Sequence, residues 1–194
     1  MVYDAPLDFL TAIDLPKDDS SDIVYVSGLD GYPAFYFTQR ANVFKPLVLQ
    51  RLPQNFSVLV TVKPSELDGG FLFAILNPFH DVIQLGLRLN ANSEEDEENE
   101  DDEIVISLYY SDYRTAASKP PSPIATFSVP DFVNEWTRFA FKVTGNDVTL
   151  YYNCEEYKTL RIERNPLDLP FEDGSTLYLG QAGYEFEGKF EVST

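Results

Sequence analysis

Short segments of alternating apolar and polar residues, separated by turn signals, dominate this chain, and residues 127–156 show the pattern most clearly. A Pro-Asp corner at 130–131 ends one segment, and Trp136 opens a second in which apolar residues recur at every other position. Gly-Asn-Asp at 145–147 then turns the chain into a third segment, 148–153. Strand segments joined by a short Gly/Asn/Asp turn are typical of antiparallel hairpins. The chain must therefore satisfy the packing rules of antiparallel sheets.

The same period of two extends through most of the chain, with a departure near the start. Residues 6–15 follow helical spacing and end at Pro16, so they predict a short helix. Residues 42–53 contain Pro46 and Pro53, which limits them to edge strands or loops. The predicted strands are 23–26, 34–37, 56–63, 71–76, 82–89, 104–110, 124–128, 136–144, 147–153, 157–162, 176–180 and 188–192.

Strands this short and numerous, with no helix between them, predict an all-β sandwich of antiparallel sheets. The 194 residues include 15 Phe and 12 Tyr, enough aromatic side chains for a large core. No repeat or shift in composition divides the chain, so residues 1–194 are expected to form a single domain. No apolar run approaches the about 18 residues of a membrane helix, so no membrane insertion is expected. No signal peptide is recognisable at the start.

The chain is strongly acidic, with a net charge of −18, and nine of the ten residues from 94 to 103 are Asp or Glu. Half of the net charge therefore lies outside that run. Nucleic acids and anionic lipids bind proteins through Lys and Arg contacts to phosphates. The charge excludes both as expected partners and opposes strong heparin binding.

The acidic run is a candidate cation-attracting loop, with calcium as the one cofactor that its oxygen ligands suit. It lacks the glycine that bends a calcium loop and does not match the EF-hand pattern. A solvated insertion that keeps the sheet edge soluble is the alternative. A glycosidase motif can also be drawn from the run, but such enzymes need carboxylates held on a rigid strand. That motif, E-x-D-x-E, consists of Glu94, Asp96 and Glu98. The candidate cation-attracting residues are Glu94, Asp96, Glu98, Asp101 and Asp102.

The single histidine, His80, lies in a turn beside Asp81. The two could ligate a metal, but a second His or a Cys is missing nearby, and a surface role is the simpler interpretation. Nucleophilic catalysis would also need His80 as its base, and the chain has no G-x-S-x-G elbow. No metal site, no catalytic residue and no enzymatic activity are expected.

Two further surface features have a functional interpretation and a simpler alternative. Lys158, Arg161 and Arg164 form the densest basic group and are candidates for contact with a glycosaminoglycan. At a period of two they do not all share one face of a strand. Asn55 lies in the only N-x-S/T sequon, at the entrance of a predicted strand, and is a candidate for glycosylation.

Cys154 is the only cysteine and follows a predicted strand among polar residues. It cannot form an internal disulfide. A secreted domain with an odd cysteine points to a pairing partner outside the chain. A reduced cysteine in a cytosolic protein is the alternative, and the residues themselves do not decide between the two.

The chain resembles thrombospondin N-terminal-like domains, which belong to the laminin-G-like sandwiches, and among them most closely the N-terminal non-collagenous region of the multiplexin collagens, types XV and XVIII. Matching motifs occur in the family's order along nearly the whole chain, and Cys-Glu-Glu with Gln-Ala-Gly favours the multiplexins. The motifs are DGYPAF at 30–35, FSV at 56–58, GFLFAI at 70–75, LGLRL at 85–89, ISLYY at 106–110, FSVP at 127–130, WTRFA at 136–140, NCEE at 153–156 and GQAG at 180–183.

The resemblance implies a concanavalin-like jelly-roll sandwich, secreted into extracellular matrix and basement membranes. In that family the cysteine matching Cys154 pairs with one shortly after the last strand, so its partner is expected beyond Thr194. The run at 94–103 is longer and more acidic than the family's loop. The basic residues of heparin-binding relatives and the calcium ligands of other laminin-G-like domains have no matching positions here.

We therefore expect a non-catalytic matrix module at the N-terminal end of a multiplexin-type collagen, a rigid sandwich that presents loops 113–123 and 94–103 to protein or glycan partners. As an isolated domain it is expected to be a monomer, and collagen sequence in a full-length protein would make it a trimer. The alternative is a lectin-like carbohydrate-binding domain, assisted by calcium, because the same fold serves both functions.

Overall fold

The computed structural model describes residues 6–13, 22–66, 69–91, 103–116, 120–186 and 192–193, and the regular secondary structure within them is mostly β-strand. In this part of the chain, two short helices and one 3-10 turn accompany fifteen strands. The helices are α1 (Phe9–Ile13) and α2 (Tyr113–Ala116), and the 3-10 turn is Leu29–Gly31. The strands are β1 (Ile23–Ser27), β2 (Pro33–Phe37), β3 (Val43–Pro46), β4 (Arg51–Leu52), β5 (Phe56–Pro64), β6 (Gly70–Leu76), β7 (Ile83–Ala91), β8 (Glu103–Tyr110), β9 (Ala125–Pro130), β10 (Thr137–Thr144), β11 (Asp147–Tyr152), β12 (Glu155–Arg161), β13 (Leu169–Pro170), β14 (Thr176–Leu179) and β15 (Val192–Ser193).

The strands form two large antiparallel sheets and one small one. The seven-stranded sheet has the order β1-β2-β15-β5-β10-β11-β12, and the six-stranded sheet has the order β3-β14-β6-β7-β8-β9. A two-stranded sheet pairs β13 with β4. The predicted all-β, two-sheet sandwich is confirmed. None of the described helices has the length and apolar character needed to cross a membrane.

The main core lies between the two large sheets, where alternate residues of each strand point inward. In β10, Phe139, Phe141 and Val143 are buried and the residues between them are exposed or half-buried. The Phe141 ring meets Phe127 of β9 in the opposite sheet at a centroid distance of 5.6 Å. Alternation of this kind places one apolar face of each sheet against the other and leaves the second face for solvent.

A second, smaller apolar cluster covers part of the outer face of the six-stranded sheet. Tyr178 of β14 belongs to it, whereas its neighbours Leu177 and Leu179 belong to the main core. The segment 180–186 that follows β14 packs over the same face through Ala182 and Phe186. This face of the sheet is therefore partly covered, and the edge of the covered area carries the candidate site described below.

Two predicted segments differ from the structure. Helix α1 begins at Phe9 and not at residue 6, because the Asp8 carboxylate accepts a hydrogen bond from the Leu10 amide at 3.0 Å and so caps the helix. Residues 14–21 lie outside the described part of the chain. The loop predicted at 113–123 begins with the one-turn helix α2. The segment 42–53 forms edge strand β3 and the short β4, as its prolines predicted.

Asp112 holds α2 in place and is the one buried carboxylate in the described residues. It accepts hydrogen bonds from the Arg114 amide at 3.0 Å and, through Oδ2, from the Arg114 guanidinium at 2.6 Å. The hydrogen bond from the Arg114 side chain lowers the pKa of Asp112 below its ordinary value of 3.8, although burial opposes that shift. The loop is thus fixed by an ion pair whose acid is covered and whose arginine is exposed.

We predict that this ion pair makes the wild-type protein more sensitive to acid than an Asp112→Asn variant. A carboxyl with a lowered pKa in the folded state contributes stability above its unfolded pKa, near 3.8, and loses it as the pH falls through the lower folded value. Urea unfolding at pH 7 and pH 3 should show a smaller stability difference between the two proteins at pH 3. An unchanged difference would contradict the assignment.

A candidate binding surface beside the six-stranded sheet

Phe44, His80 and Tyr178 are in ring contact at the β3–β14 edge of the six-stranded sheet, and Tyr184 lies near enough to affect Tyr178 electrostatically. We call these four residues the aromatic surface cluster. Tyr178 lies at its centre and is 2% exposed. Phe44 packs on the Tyr178 ring at a centroid distance of 5.4 Å, and His80 meets it edge-on at 5.7 Å. Tyr184 is 78% exposed and Phe44 is 49% exposed. The cluster therefore has a buried base and an open aromatic surface.

Strand pairing brings Phe44 and Tyr178 together. The two residues are directly opposite in the antiparallel pair of β3 and β14. Tyr178 is in turn opposite Ala74 of β6, whose small side chain leaves room for the ring. Cross-strand aromatic pairs stabilise sheets, and this pair points away from the main core because its strand neighbours point into it.

His80 lies in a turn that the Asn77 side chain stabilises by hydrogen bonds to the backbone. The buried Asn77 accepts hydrogen bonds through Oδ1 from the amides of Asp81 and Val82, at 3.1 and 3.0 Å, and its Nδ2 donates to the Asp81 carboxylate at 2.7 Å. His80 adopts a left-handed backbone conformation with φ of 61°. Its Nδ1 forms a hydrogen bond of 3.1 Å with the Tyr178 hydroxyl. The turn thus fixes the imidazole beside the phenol.

Tyr184 belongs to segment 180–186, which follows β14. The buried Gln181 donates from Nε2 to Asn42 Oδ1 at 2.9 Å, and Asn42 Nδ2 donates to the Tyr184 hydroxyl at 3.3 Å. Gly183 has φ of +71°, and a Cβ there would lie 3.0 Å from Leu76 Cδ1. A larger residue would be strained in this left-handed conformation and would press against the Leu76 side chain. The side-chain amides of Gln181 and Asn42 therefore position the exposed Tyr184.

The cluster offers aromatic faces beside hydrogen-bonding groups. Burial raises the pKa of the Tyr178 phenol above 10.0, and the neighbouring Tyr184 raises it further, so the hydroxyl is protonated at neutral pH. The exposed Tyr184 accepts a hydrogen bond from the Asn42 amide, and Phe44 and His80 each contact the ring of Tyr178. Such surfaces bind protein side chains or the apolar faces of sugars, since one part of the contact is apolar and the other polar.

His80 and Asp81, considered above as metal ligands, form hydrogen bonds with other side chains. His80 Nδ1 is bonded to Tyr178, and the Asp81 carboxylate is bonded to Asn77. The described residues contain no group of three or more His, Cys, Asp or Glu side chains able to hold a metal ion. The acidic positions Glu94, Asp96, Glu98, Asp101 and Asp102 lie outside the described residues, so the calcium question for that run stays open.

Arg164 does not belong to a surface basic patch, contrary to its selection as a glycosaminoglycan contact. It is 5% exposed. Its guanidinium lies over the rings of Tyr110 and Phe56, at 5.0 and 5.7 Å from their centroids. It donates to the carbonyls of Gly145 and Gln54. The Arg164 guanidinium therefore links its own loop to the loops that contain Gly145 and Gln54.

Lys158 and Arg161 are exposed on the edge strand β12. Lys158 pairs with Leu150, an inward-facing residue, and Arg161 pairs with Asp147. The two cations therefore point to opposite faces, and Arg161 has an acidic residue directly across from it. Charged residues on an edge strand also discourage pairing with another sheet. A glycosaminoglycan contact at these two residues stays a prediction.

Asn55 and Cys154 both lie at exposed turns. Asn55 precedes β5, and its Oδ1 accepts a hydrogen bond from the Gly145 amide at 3.0 Å. Cys154 forms the tip of the β11–β12 hairpin with Asn153, both in the left-handed region at φ of 71° and 50°. Glycosylation at Asn55 and a disulfide from Cys154 to a cysteine beyond the chain stay predictions.

The sequence patterns missed most of the aromatic surface cluster. His80 was noted for metal chemistry, whereas Asn42, Phe44, Tyr178 and Tyr184 were not singled out. The alternation in β14, where Tyr178 falls between two leucines, was the one available signal that this tyrosine points away from the core. Exposure of Phe44 and Tyr184 depends on the covering segment 180–186, which no local pattern predicts.

Comparison with known proteins agrees with the family resemblance. No family model matches the chain. Over 138 residues, 71% of this chain, it is 31% identical to the collagen alpha-1(XVIII) chain of Homo sapiens. The chain is a relative of the multiplexin collagens. The resemblance that the sequence motifs predicted is thereby confirmed.

The chain corresponds to a small part of its relatives. It spans 7% of that multiplexin collagen's length and 20% of protein NEL of Gallus gallus, to which it is 26% identical over 184 residues, 90% of this chain. These relatives are secreted extracellular-matrix proteins.

A solved laminin structure supports the fold. The mouse laminin alpha1 chain, domains LG4-5, aligns with a TM-score of 0.53 and 15% identity, covering 97% of this chain and 45% of that chain. Identity this low supports architecture and not activity. The laminin-G-like jelly roll implied by the resemblance is confirmed.

Proposed function

We propose that the chain is a non-catalytic interaction module of the extracellular matrix, located in basement membranes as part of a multiplexin-type collagen. The similarity to collagen XVIII over 71% of the chain carries this proposal. The module is a monomer in isolation, and collagen sequence elsewhere in the protein would trimerise it. Cys154 would pair with a cysteine of the longer protein.

The aromatic surface cluster is the surface we propose for partner binding. Exposed aromatic rings that rest on a fixed base contribute much of the affinity in protein interfaces because they lose little conformational entropy on binding. Phe44 rests on the buried Tyr178, and Tyr184 is held by Asn42. The net charge of −18 favours a partner whose complementary surface is neutral or basic.

Binding to a surface coated with basement-membrane extract tests this proposal. We expect saturable binding by the wild-type protein and a loss of about tenfold or more in affinity for Phe44→Ser and Tyr184→Ser. Tyr32→Ser is the matched control, since Tyr32 is 71% exposed but follows the 3-10 turn beside the other sheet. Absent binding, or equal losses in all three variants, would contradict the proposal.

A carbohydrate ligand is the second candidate for the same surface. The observation that favours it is that the exposed Tyr184 is bonded to the Asn42 amide while Phe44 and His80 contact the same Tyr178 ring. Exposed rings can stack on a sugar face, and the polar groups can hydrogen-bond its hydroxyls. Calcium assistance would come from oxygen ligands outside the described residues, since none cluster within them.

A glycan array with and without calcium separates the two candidates. Micromolar, saturable sugar binding that Tyr184→Ser abolishes would favour the lectin function. Matrix binding without any sugar binding would favour the protein-interaction module. Glycan hydrolysis abolished by replacing a single carboxylate would refute the non-enzymatic function in both.

A further inference from the structure

The exposed rings of the aromatic surface cluster are not in contact with any described cation of the protein. Phe44 is 49% exposed and Tyr184 is 78% exposed. Within the described residues, the contacts between an arginine and an aromatic ring involve other rings, those of Phe56, Phe71, Tyr110 and Tyr113. The face of an aromatic ring is electron-rich and attracts cations. A cation supplied by another molecule therefore finds suitable rings at this cluster.

The segments around the cluster are acidic. Residues 77–82, 171–175 and 180–186 contain no Lys or Arg, and their carboxylates are Asp81, Glu172, Asp173 and Glu185. All of these except Glu172 are fully exposed. The loop at 171–175 packs against the His80 turn, since a Cβ on Gly174 would lie 3.4 Å from Pro78 Cγ. A cation approaching the rings is therefore also attracted by carboxylates.

The nearby part of the chain before and within β3 contributes two cations. Lys45 pairs with Leu177, which belongs to the main core, so Lys45 lies on the opposite face of β3 from Phe44. Arg40 is exposed in the segment before β3 and forms no ion pair or ring contact with the described residues. The carboxylates therefore outnumber the cations on the side of the sheet that carries the cluster.

Asp81 offers a hydrogen-bond acceptor next to the rings. It follows His80, whose ring contacts Tyr178 edge-on. Its Oδ1 accepts a hydrogen bond from Asn77 at 2.7 Å, and its Oδ2 accepts none from the described residues. A guanidinium is planar, so it stacks on an aromatic ring while its N–H groups donate to a carboxylate, and an ammonium cannot combine the two contacts as well. This combination of rings and a carboxylate suits arginine.

We propose that the aromatic surface cluster recognises an arginine side chain in a basic segment of a protein partner. The guanidinium stacks on the exposed rings and donates to Asp81. The inference rests on the cluster being the binding surface of the proposed function, and it adds the class of partner. Charge complementarity selects this occupant, because the chain carries a net charge of −18 and steers basic segments toward its acidic surfaces.

Three capped peptides test the proposal: Gly-Ser-Arg-Gly-Ser-Arg-Gly and the same sequence with citrulline or with lysine in place of arginine. Citrulline keeps the planar shape of arginine and lacks its charge. NMR titration of the protein at about 150 mM salt, where long-range attraction is screened, gives each Kd. We expect the citrulline peptide to bind about tenfold or more weakly than the arginine peptide, and the lysine peptide about threefold more weakly.

Ring variants show whether the arginine binds at the cluster. Phe44→Ser and Tyr184→Ser leave the net charge unchanged, and each should weaken binding of the arginine peptide about fivefold or more. Tyr32→Ser should change it by less than about twofold. Tyr32 is also an exposed ring, but the nearby Asp30 carboxylate is already paired with Arg138 at 2.7 Å.

A matched pair of charge variants tests the carboxylate. Asp81→Asn keeps an oxygen that can accept from Asn77 and should weaken the arginine peptide about threefold. Asp147→Asn removes the same charge from an exposed position on β11, in the other large sheet, and should change the Kd by less than about 1.5-fold. Equal losses in the two variants would mean that the attraction is not local to the cluster and would overturn the proposal.

Other outcomes separate this inference from the proposed function. Equal affinities for the arginine and citrulline peptides, or equal losses in Phe44→Ser and Tyr32→Ser, would overturn the arginine site. Matrix binding that Phe44→Ser weakens, but that the arginine peptide does not compete, would keep the proposed function and refute the inference. Arginine-specific binding at the cluster without matrix binding would support the inference and refute the proposed function.

Discussion

Replacing Arg164 by alanine is expected to lower the free energy of unfolding by about 2–4 kcal/mol. The guanidinium donates to the carbonyls of Gly145 and Gln54 and lies between two aromatic rings. Alanine would leave both carbonyls without this donor and a space between the rings. Urea unfolding with a constant m-value measures the loss.

Arg161→Ala is the matched control, because Arg161 is an exposed arginine at the end of β12. Its loss should change the unfolding free energy by less than about 0.5 kcal/mol. Arg164→Lys should recover only part of the stability, since an ammonium cannot reproduce the planar contacts with both rings and carbonyls. Similar unfolding midpoints for the two alanine variants would show that Arg164 does not join the loops.

Replacing Phe141 by alanine is expected to have the largest effect, a loss of about 3–5 kcal/mol. The ring is 0% exposed and meets Phe127 of the opposite sheet at 5.6 Å and Phe139 at 6.3 Å. Its removal leaves a cavity at the centre of the main core, where neighbouring strands on both sides limit relaxation. Thermal unfolding followed by circular dichroism measures the effect.

Leu59→Ala provides the comparison for a large apolar residue on the adjacent strand. Leu59 lies opposite Ala140 in the β5–β10 pair but is 78% exposed on the outer face. Its replacement should change stability by less than about 0.5 kcal/mol. A loss at Leu59 comparable with that at Phe141 would mean that the outer face is covered in solution and that the assignment of faces is wrong.

Most strands could be predicted because alternation is a local property. In β10 the residues Phe139, Phe141 and Val143 alternate with charged or small ones, and the turn at 145–147 sets the register with β11. The edge position of β3 followed from proline, which cannot donate to a ladder. The helix boundary at Phe9 was missed, because a capping aspartate and a first-turn aspartate look alike in sequence.

The candidate site could not be predicted in the same way. Phe44 and Tyr178 are 134 residues apart in sequence and become neighbours only through the pairing of β3 with β14. Arg164 shows the same limit, since its basic neighbours in sequence suggested a surface patch while its contacts are with Phe56 and Tyr110. A charged residue is buried only where the fold supplies enough acceptors, and sequence spacing does not record them.

The sequence alone determined the class of fold, the positions of most strands, the acidic character and the resemblance to the multiplexins, because each depends on short-range patterns or on order along the chain. The tertiary structure decided which aromatic rings are exposed and where the buried Arg164 finds its acceptors. These depend on pairings between distant strands, and such pairings are chosen by the burial of the whole chain rather than by any one segment.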